Sequence, residues 1–165
     1  MNRFYILILP FTILLAITCS NEKDVDLVSE RAKALQVLEN FNHAHEQKNI
    51  DLLLSCFSDK PDIIILGTDE DELWVDKTSM AAAQKRAYDT FSEVKLSERD
   101  KLLKMCKSGN QAWFYMRVNW YVESGGKKFT FDGIRTTGVL ERENGNWKIV
   151  QLHTSLPVKG QVIQY

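Results

Sequence analysis

The sequence has almost no excess charge and few of the residue types that mark specialised folds. Its 165 residues include 21 Lys plus Arg against 22 Asp plus Glu, which gives a formal net charge of −1. A chain without a basic excess lacks the electrostatic signature of nucleic-acid binding, so we expect no nucleic-acid partner. Three cysteines are too few for a disulfide framework. With 44% hydrophobic residues, the composition instead indicates a folded globular chain of one domain.

Histidine is equally scarce, with only His43, His45 and His153 in the chain. His43 and His45 are two residues apart, and side chains at that spacing do not share a helix face, so they do not form a metal-binding pair. The acidic run Asp69–Glu72 lacks the ligand pattern of a dedicated calcium loop. We therefore expect neither a metal nor a cofactor.

The first residues have a composition of their own. Arg3 is the only charged side chain before an apolar run over residues 4–17, which is shorter than the roughly 20 residues of a transmembrane helix. The run predicts a signal peptide at residues 1–18. Ala16-Ile17-Thr18-Cys19 resembles a bacterial lipobox, whose cysteine is lipidated. We therefore predict a lipid anchor at Cys19 that attaches the protein to a membrane, followed by a polar tether at residues 19–25.

This leader predicts a location in the bacterial cell envelope, with the outer membrane favoured by Ser20 after the cysteine. The alternative is a soluble secreted or periplasmic protein with an incidental cysteine. In an oxidising envelope Cys56 and Cys106 could pair, or each could be a small buried side chain.

Helical patterns precede strand patterns along the rest of the chain. Apolar residues recur at helical spacing from Asp26 to Lys48, Asn49 can cap a second helix, and Asp76 or Thr78 a third. A short apolar strand comes before the third helix, and four long β patterns with short turns follow it. The predicted strands are Asp62–Leu66, Val94–Lys107, Gln111–Glu123, Lys128–Arg142 and Trp147–Leu156. This order predicts an α+β domain at residues 26–157, with three helices on a strongly curved, mostly antiparallel sheet and a tail at 158–165.

Five short motifs occur in one order: Gly67-Thr68, Glu72-x-Trp74, Gly133-x-Arg135-x-Thr137, Asn144-Gly145-x-Trp147-x-Ile149 and His153-x-Ser155-x-Pro157. With them the sequence resembles a SnoaL-like domain of the nuclear transport factor 2-like superfamily over residues 27–157. The resemblance implies a cone, in which a bent sheet wraps the long first helix and leaves a cavity. Members include isomerases, polyketide cyclases and dehydratases, and others only bind or dimerise.

Ketosteroid isomerases share this fold, and they need a tyrosine on the first helix and a carboxylate base after the first strand. The resemblance places Phe41 and about Leu66 at those two positions. Neither residue has the required proton chemistry, so we do not expect ketosteroid isomerase activity.

Strict alternation along the last two strands predicts the site. If the strand faces that carry Arg135 and His153 are turned toward the cavity, the polar side chains of those faces lie together between aromatic walls. Arg135 then binds a ligand carboxylate or pairs with Glu72, and His153 is an acid/base or a hydrogen-bonded core residue. The further ligand-binding candidates are Thr137, Gln151, Ser155, Trp74, Glu72, His45 and Phe41.

The second long strand alternates between an apolar face and a face with large aromatic residues. Ala112, Phe114, Met116, Val118 and Trp120 form the apolar, inward face. The other face carries Trp113, Tyr115 and Tyr121 with Arg117, a composition typical of interfaces, so we predict a homodimer through it.

Three functions remain open on the sequence. The first is an envelope-anchored domain that binds a small organic molecule, anionic or not, in the cone cavity. The second is an enzyme of the isomerase, cyclase or dehydratase type that uses His153 as acid/base. The third is a dimeric protein-association module without catalysis.

Overall fold

The computed structural model describes residues 25–158 and Gly160. The predicted signal peptide, the lipid anchor at Cys19 and nearly all of the tether lie outside these residues, as does most of the C-terminal tail. Among the described helices, none combines the length and the apolar character needed to cross a membrane.

Three helices and six strands follow one another, and all but the second strand occur in the predicted order. They are α1 (Leu27–Glu46), α2 (Ile50–Cys56), β1 (Ile64–Leu66), β2 (Leu73–Trp74), α3 (Lys77–Thr90), β3 (Phe91–Met105), β4 (Gln111–Ser124), β5 (Lys127–Glu143) and β6 (Asn146–Ser155). The strands form one sheet in the order β2-β1-β6-β5-β4-β3, in which only β1 and β6 run parallel. The α+β prediction of three helices on a curved, mostly antiparallel sheet is confirmed.

Side-chain caps set where the helices begin. The Asp26 carboxylate accepts hydrogen bonds from the N–H groups of Val28 and Ser29 at the start of α1. Asn49 caps α2 as predicted, and Asp76 rather than Thr78 caps α3. Each cap satisfies backbone donors that have no partner within the helix. The β2 strand directly follows the predicted loop Asp69–Glu72, where no strand is predicted, and adds two residues to the sheet edge.

The core lies between α1 and the inner face of the sheet. Ala34 and Leu38 of α1 are completely buried, as are Ala112 of β4 and Leu140 of β5. Near the start of α1, the buried Glu30 accepts a 2.8 Å hydrogen bond from Trp147 Nε1 and pairs with Arg142. A buried carboxylate is stable only with such partners.

Two β-bulges reverse the alternation of side chains on β5 and β6. On β5, Asp132 and Gly133 together lie opposite the single residue Asn119, because Trp120 pairs with Phe131 and Val118 with Ile134. Gly133 has a φ of +67°, in the left-handed region that favours glycine. The extra residue turns Ile134 and Thr136 inward and Arg135 outward.

The second bulge lies on β6. Leu140 pairs with Ile149 and Val139 with Gln151, which leaves Val150 as the extra residue. Trp147 and Ile149 before the bulge are buried, and after it Leu152 is the buried residue, while His153 is exposed. A one-residue shift moves every following side chain to the opposite face.

These bulges correct the predicted cavity wall. The prediction placed Arg135, Thr137, Gln151, His153 and Ser155 in the cavity on strict alternation, and that orientation is wrong. Cross-strand pairing puts Arg135 beside Ser155, Thr137 beside His153, and Val139 beside Gln151, all on the outer face of the sheet.

Candidate functional site

A cavity of about 500 Å³ lies between the helices and the inner face of the sheet. The buried side chains that line it include Phe41, His45, Leu53, Phe57, Met80, Ile134, Thr136 and Leu152. Exposed residues line it at the opening, and we call Leu66, Asp69, Phe129, Phe131 and Leu156 the rim. Most of these side chains are apolar, and the volume falls in the range of about 300–1,000 Å³ that small-molecule sites occupy.

His45 is the principal polar group among the buried lining residues. It lies in the last turn of α1, is only 6% exposed, and has its Nδ1 atom 2.9 Å from the hydroxyl of Tyr88 on α3. The rings of Phe41 and Trp120 each meet the imidazole edge to face at a centroid distance of 4.7 Å. Aromatic contacts on two sides and one hydrogen bond therefore fix the orientation of the ring.

Burial also fixes the charge of His45. Removal of the imidazole from water lowers the pKa of His45 from 6.5 to about 3, so the ring is neutral at pH 7. Burial likewise raises the pKa of Tyr88, which keeps its hydroxyl protonated. A neutral imidazole has one donor and one acceptor nitrogen. Because Nδ1 is bonded to Tyr88, Nε2 is the position left for a molecule in the cavity that the ring lines.

The loop at residues 67–72 forms one side of the opening. The Glu72 carboxylate accepts hydrogen bonds from the N–H groups of Thr68 at 2.7 Å and Asp69 at 3.2 Å. Gly67 allows this approach, because a Cβ atom there would lie 2.0 Å from Glu72 Oε2. The motif residues Gly67, Thr68 and Glu72 therefore stabilise one loop, which places Asp69 at the rim.

The predicted site residues divide into two groups. Phe41, His45, Glu72 and Trp74 all line the cavity, as expected. Arg135, Thr137, Gln151, His153 and Ser155 are not among the lining residues, for the reason given by the two bulges. Arg135 neither pairs with Glu72 nor lines the cavity. Its exposed guanidinium lies 3.4 Å from the carbonyl oxygen of Leu156.

Sequence patterns did not identify the polar residues that replace them. Thr136 and Thr154 are directly adjacent in sequence to predicted residues, and they face the cavity with their hydroxyl oxygens 3.5 Å apart. Tyr88 lies on α3, and no motif marks it as the partner of His45. Gly133 inside β5 is a typical sign of a bulge and could have indicated the shift there, whereas nothing comparable marks Val150.

The faces of β4 agree with the prediction. Its inward side chains Phe114, Met116 and Val118 are buried, and Trp120 lines the cavity. Trp113 and Tyr121 are exposed on the outer face, at 49% and 41%. On the same face Arg117 forms an ion pair with Asp100 of β3.

Cys56 and Cys106 are both free thiols. Cys56 is buried, and Cys106 lies in the turn between β3 and β4. Within the described residues, no three His, Cys, Asp or Glu side chains are grouped to hold a metal ion.

Comparison with known proteins agrees with this architecture. The family model for the SnoaL-like domain matches residues 34–159. A nuclear transport factor 2-like superfamily protein from Salmonella enterica is similar with a TM-score of 0.72 at 16% identity, over 82% of this chain and 96% of that one. A nuclear transport factor 2-like protein of unknown function from Pseudomonas putida is similar with a TM-score of 0.67 at 15% identity, over 80% of this chain and 89% of that one.

A hexachlorocyclohexane dehydrochlorinase is similar with a TM-score of 0.69 at 13% identity, over 79% of this chain and 87% of that one. A search of proteins with curated functions gives no match. At these identities the solved structures show the shared fold. The family match covers most of the chain, and the chain belongs to the SnoaL-like domain family.

Proposed function

We propose that this protein binds a small, largely apolar organic molecule in the cone cavity. The observation that carries the proposal is an apolar cavity of about 500 Å³ with one oriented, neutral imidazole among its buried lining residues. Apolar walls with a few fixed polar groups are the usual construction of a small-molecule site. The walls supply affinity through burial, and His45 Nε2 supplies a directional hydrogen bond to an oxygen or nitrogen of the ligand.

The state of His45 favours binding over acid/base catalysis. A general base is most effective when its pKa is near the working pH. Burial lowers the pKa of His45 to about 3, so the ring resists protonation at pH 7. Tyr88 rather than a carboxylate is the group hydrogen-bonded to Nδ1, and a neutral hydroxyl does not stabilise an imidazolium as a carboxylate would. His45 therefore acts as a hydrogen-bonding partner rather than as a proton-transfer group.

A calorimetric titration with 1-naphthalenemethanol tests this role, since the probe has an aromatic body and one hydroxyl. His45→Phe keeps an aromatic side chain at the buried end of the cavity around His45, which we call the floor, and removes both the Tyr88 bond and Nε2. Tyr88→Phe removes the same bond but retains Nε2, so it is the matched control. We expect His45→Phe to weaken binding about tenfold, as loss of one hydrogen bond does, and Tyr88→Phe to bind nearly as tightly as the wild type. Equal weakening in the two variants contradicts a contact with Nε2.

A second copy of the chain is proposed to cover the outer face of the sheet. Leu102, Trp113 and Ile64 are 65%, 49% and 46% exposed on three different strands of that face. Trp113 pairs with Val139, and Tyr115 lies between Leu102 and Thr137, so the apolar surface continues across strands. Exposed aromatic side chains on a continuous surface are typical of protein interfaces. We expect a homodimer whose interface is separate from the cavity.

Attachment to the envelope is proposed from the leader sequence. The support is the apolar run before Cys19 and the polar residues after it. Substitution Cys19→Ala should release the protein from the membrane fraction of a bacterial expression host. Continued sedimentation of that variant with membranes would contradict lipidation at Cys19.

A further inference from the structure

The charge at the cavity opening has one sign. The two ionised lining residues are Asp69 and Glu72, and the described residues of the lining include no lysine or arginine. Glu70 and Asp71 lie between them in the same exposed loop. None of these four carboxylates forms an ion pair within the described part of the chain, so no salt bridge offsets the acidic character of the loop.

Two basic residues adjacent in sequence to the lining, Arg135 and Lys128, are turned away from it. Arg135 is turned to the outer face by the bulge at Gly133. Lys128 precedes the rim residue Phe129, but it alternates away from it and pairs in register with Glu123. Carboxylates on a rim with apolar walls raise the local concentration of cations and repel anions.

Aromatic side chains accompany the carboxylates at the rim. Phe129 and Phe131 are 44% and 39% exposed although both line the cavity, and Trp74 lines it beside the acidic loop. The faces of aromatic rings attract ammonium groups within about 6 Å. Exposed aromatic rings together with a rim carboxylate are therefore suited to an organic cation.

The floor accepts a different part of the ligand. His45 is more than nine-tenths buried, its Nε2 is the ring position left by the bond to Tyr88, and the ring is neutral. A charged group at this depth would lose its hydration without gaining a counter-ion. The charged end of a ligand therefore belongs at the rim, and its uncharged end at the floor.

We propose that the ligand is an organic cation with an apolar body, whose ammonium group lies at the rim against Asp69 and the exposed phenylalanines. This inference rests on the proposed function, because it assumes that the cavity holds a small organic molecule. It names Asp69 as the specificity-determining carboxylate. Glu72 contributes charge, but its carboxylate also accepts the hydrogen bonds that stabilise the loop.

Three naphthalene probes of similar size test the proposal by titration calorimetry of the purified protein. They are (1-naphthylmethyl)trimethylammonium, 1-naphthalenemethanol and 1-naphthylacetate, which are cationic, neutral and anionic. We expect the cation to bind at least about tenfold more tightly than the anion, with the neutral alcohol between them. The difference should decrease at 0.5 M salt, because rim charges are screened by ions.

Asp69→Asn and Asp71→Asn form a matched pair, since both remove one exposed carboxylate from the same loop and only Asp69 lines the cavity. Asp69→Asn should weaken binding of the cation several-fold and leave binding of the alcohol unchanged, whereas Asp71→Asn should weaken binding of the cation less. Binding of the alcohol without any preference for the cation overturns this inference and leaves the proposed function standing. Failure of all three probes to bind contradicts the proposed function itself. Equal effects of the two substitutions overturn the role of Asp69.

Discussion

The hydroxyl of Tyr88 lies 2.9 Å from Nδ1 of His45 and joins α3 to the last turn of α1 beneath the cavity. The two side chains are 43 positions apart in the sequence. Their contact fixes which ring nitrogen of His45 remains for the cavity. Burial makes this ring, the one histidine among the described residues that line the cavity, a neutral hydrogen-bonding group.

The buried imidazole predicts a specific dependence of stability on pH. The pKa of His45 is about 3 in the folded chain and near 6.5 when unfolded, so below pH 6.5 the unfolded state binds the extra proton. The contribution of the neutral His45 ring to the free energy of unfolding is therefore fully present above pH 6.5. It is lost as pH falls toward 3, by up to about 1.4 kcal/mol for each pH unit. Urea unfolding of the wild type and His45→Gln at several pH values measures the difference. His153→Gln, at an exposed position, should keep the wild-type slope, and an identical slope in His45→Gln would show that burial does not suppress protonation.

Two glycines of β5 predict two different costs of an added methyl group. Gly133→Ala meets no atom closer than 3.6 Å but must adopt a φ of +67°, which we expect to cost about 1 kcal/mol of unfolding free energy. Gly138→Ala would place its Cβ 2.4 Å from the Gln151 carbonyl oxygen and 2.6 Å from the Phe114 ring. Because the backbone must move to relieve the contact with Gln151, Gly138→Ala should lower the free energy of unfolding more than Gly133→Ala does. Urea denaturation of the two variants measures which one loses more unfolding free energy. An unchanged unfolding free energy in Gly133→Ala would count against the bulge.

The two free thiols predict opposite reactivity. Burial opposes ionisation of Cys106, but hydrogen bonds from Ser108 and from the backbone of Asn110, Gln111 and Gly109 outweigh it and lower the pKa of Cys106 to about 7. Burial raises the pKa of Cys56 to about 11. Alkylation by iodoacetamide, followed by peptide mass spectrometry, should modify Cys106 with a midpoint near pH 7 and leave Cys56 unreacted in the folded protein. A Cys106 midpoint near 9 would mean that the turn does not stabilise the thiolate.

The outer sheet face predicts the oligomeric state. Analytical ultracentrifugation should find a dimer that Trp113→Glu converts to a monomer, because a charge at the centre of an apolar interface is left without a partner. Glu93→Gln, which changes an exposed charge elsewhere on β3, serves as the control and should remain dimeric. A wild-type monomer at micromolar concentration excludes this interface.

Much of the fold follows from local patterns in the sequence. The helical spacing of Ala34, Leu38, Phe41 and His45 correctly predicts the buried face of α1, and the alternation along β4 correctly separates its inner and outer residues. These predictions succeed because each depends on an uninterrupted period. They also place Phe41 and His45 correctly at the cavity.

The candidate site was harder to predict because it depends on where the period breaks. One extra residue at Gly133 and another at Val150 exchange the two faces of β5 and β6. Thr136 and Thr154 thereby take the places that alternation assigns to Arg135 and His153. The Tyr88–His45 bond depends on the packing of α3 against α1, which no spacing within either helix encodes.

Filling the cavity tests the central claim most directly. Ala87 lines the cavity from α3, whereas Ala82 is exposed on the same helix, so Ala87→Trp and Ala82→Trp form a matched pair. Calorimetric titration of both variants with 1-naphthalenemethanol should show binding lost in Ala87→Trp and retained in Ala82→Trp, because the indole occupies space that the ligand needs. Retention of wild-type affinity in a folded Ala87→Trp protein would contradict the proposal that the cone cavity is the binding site.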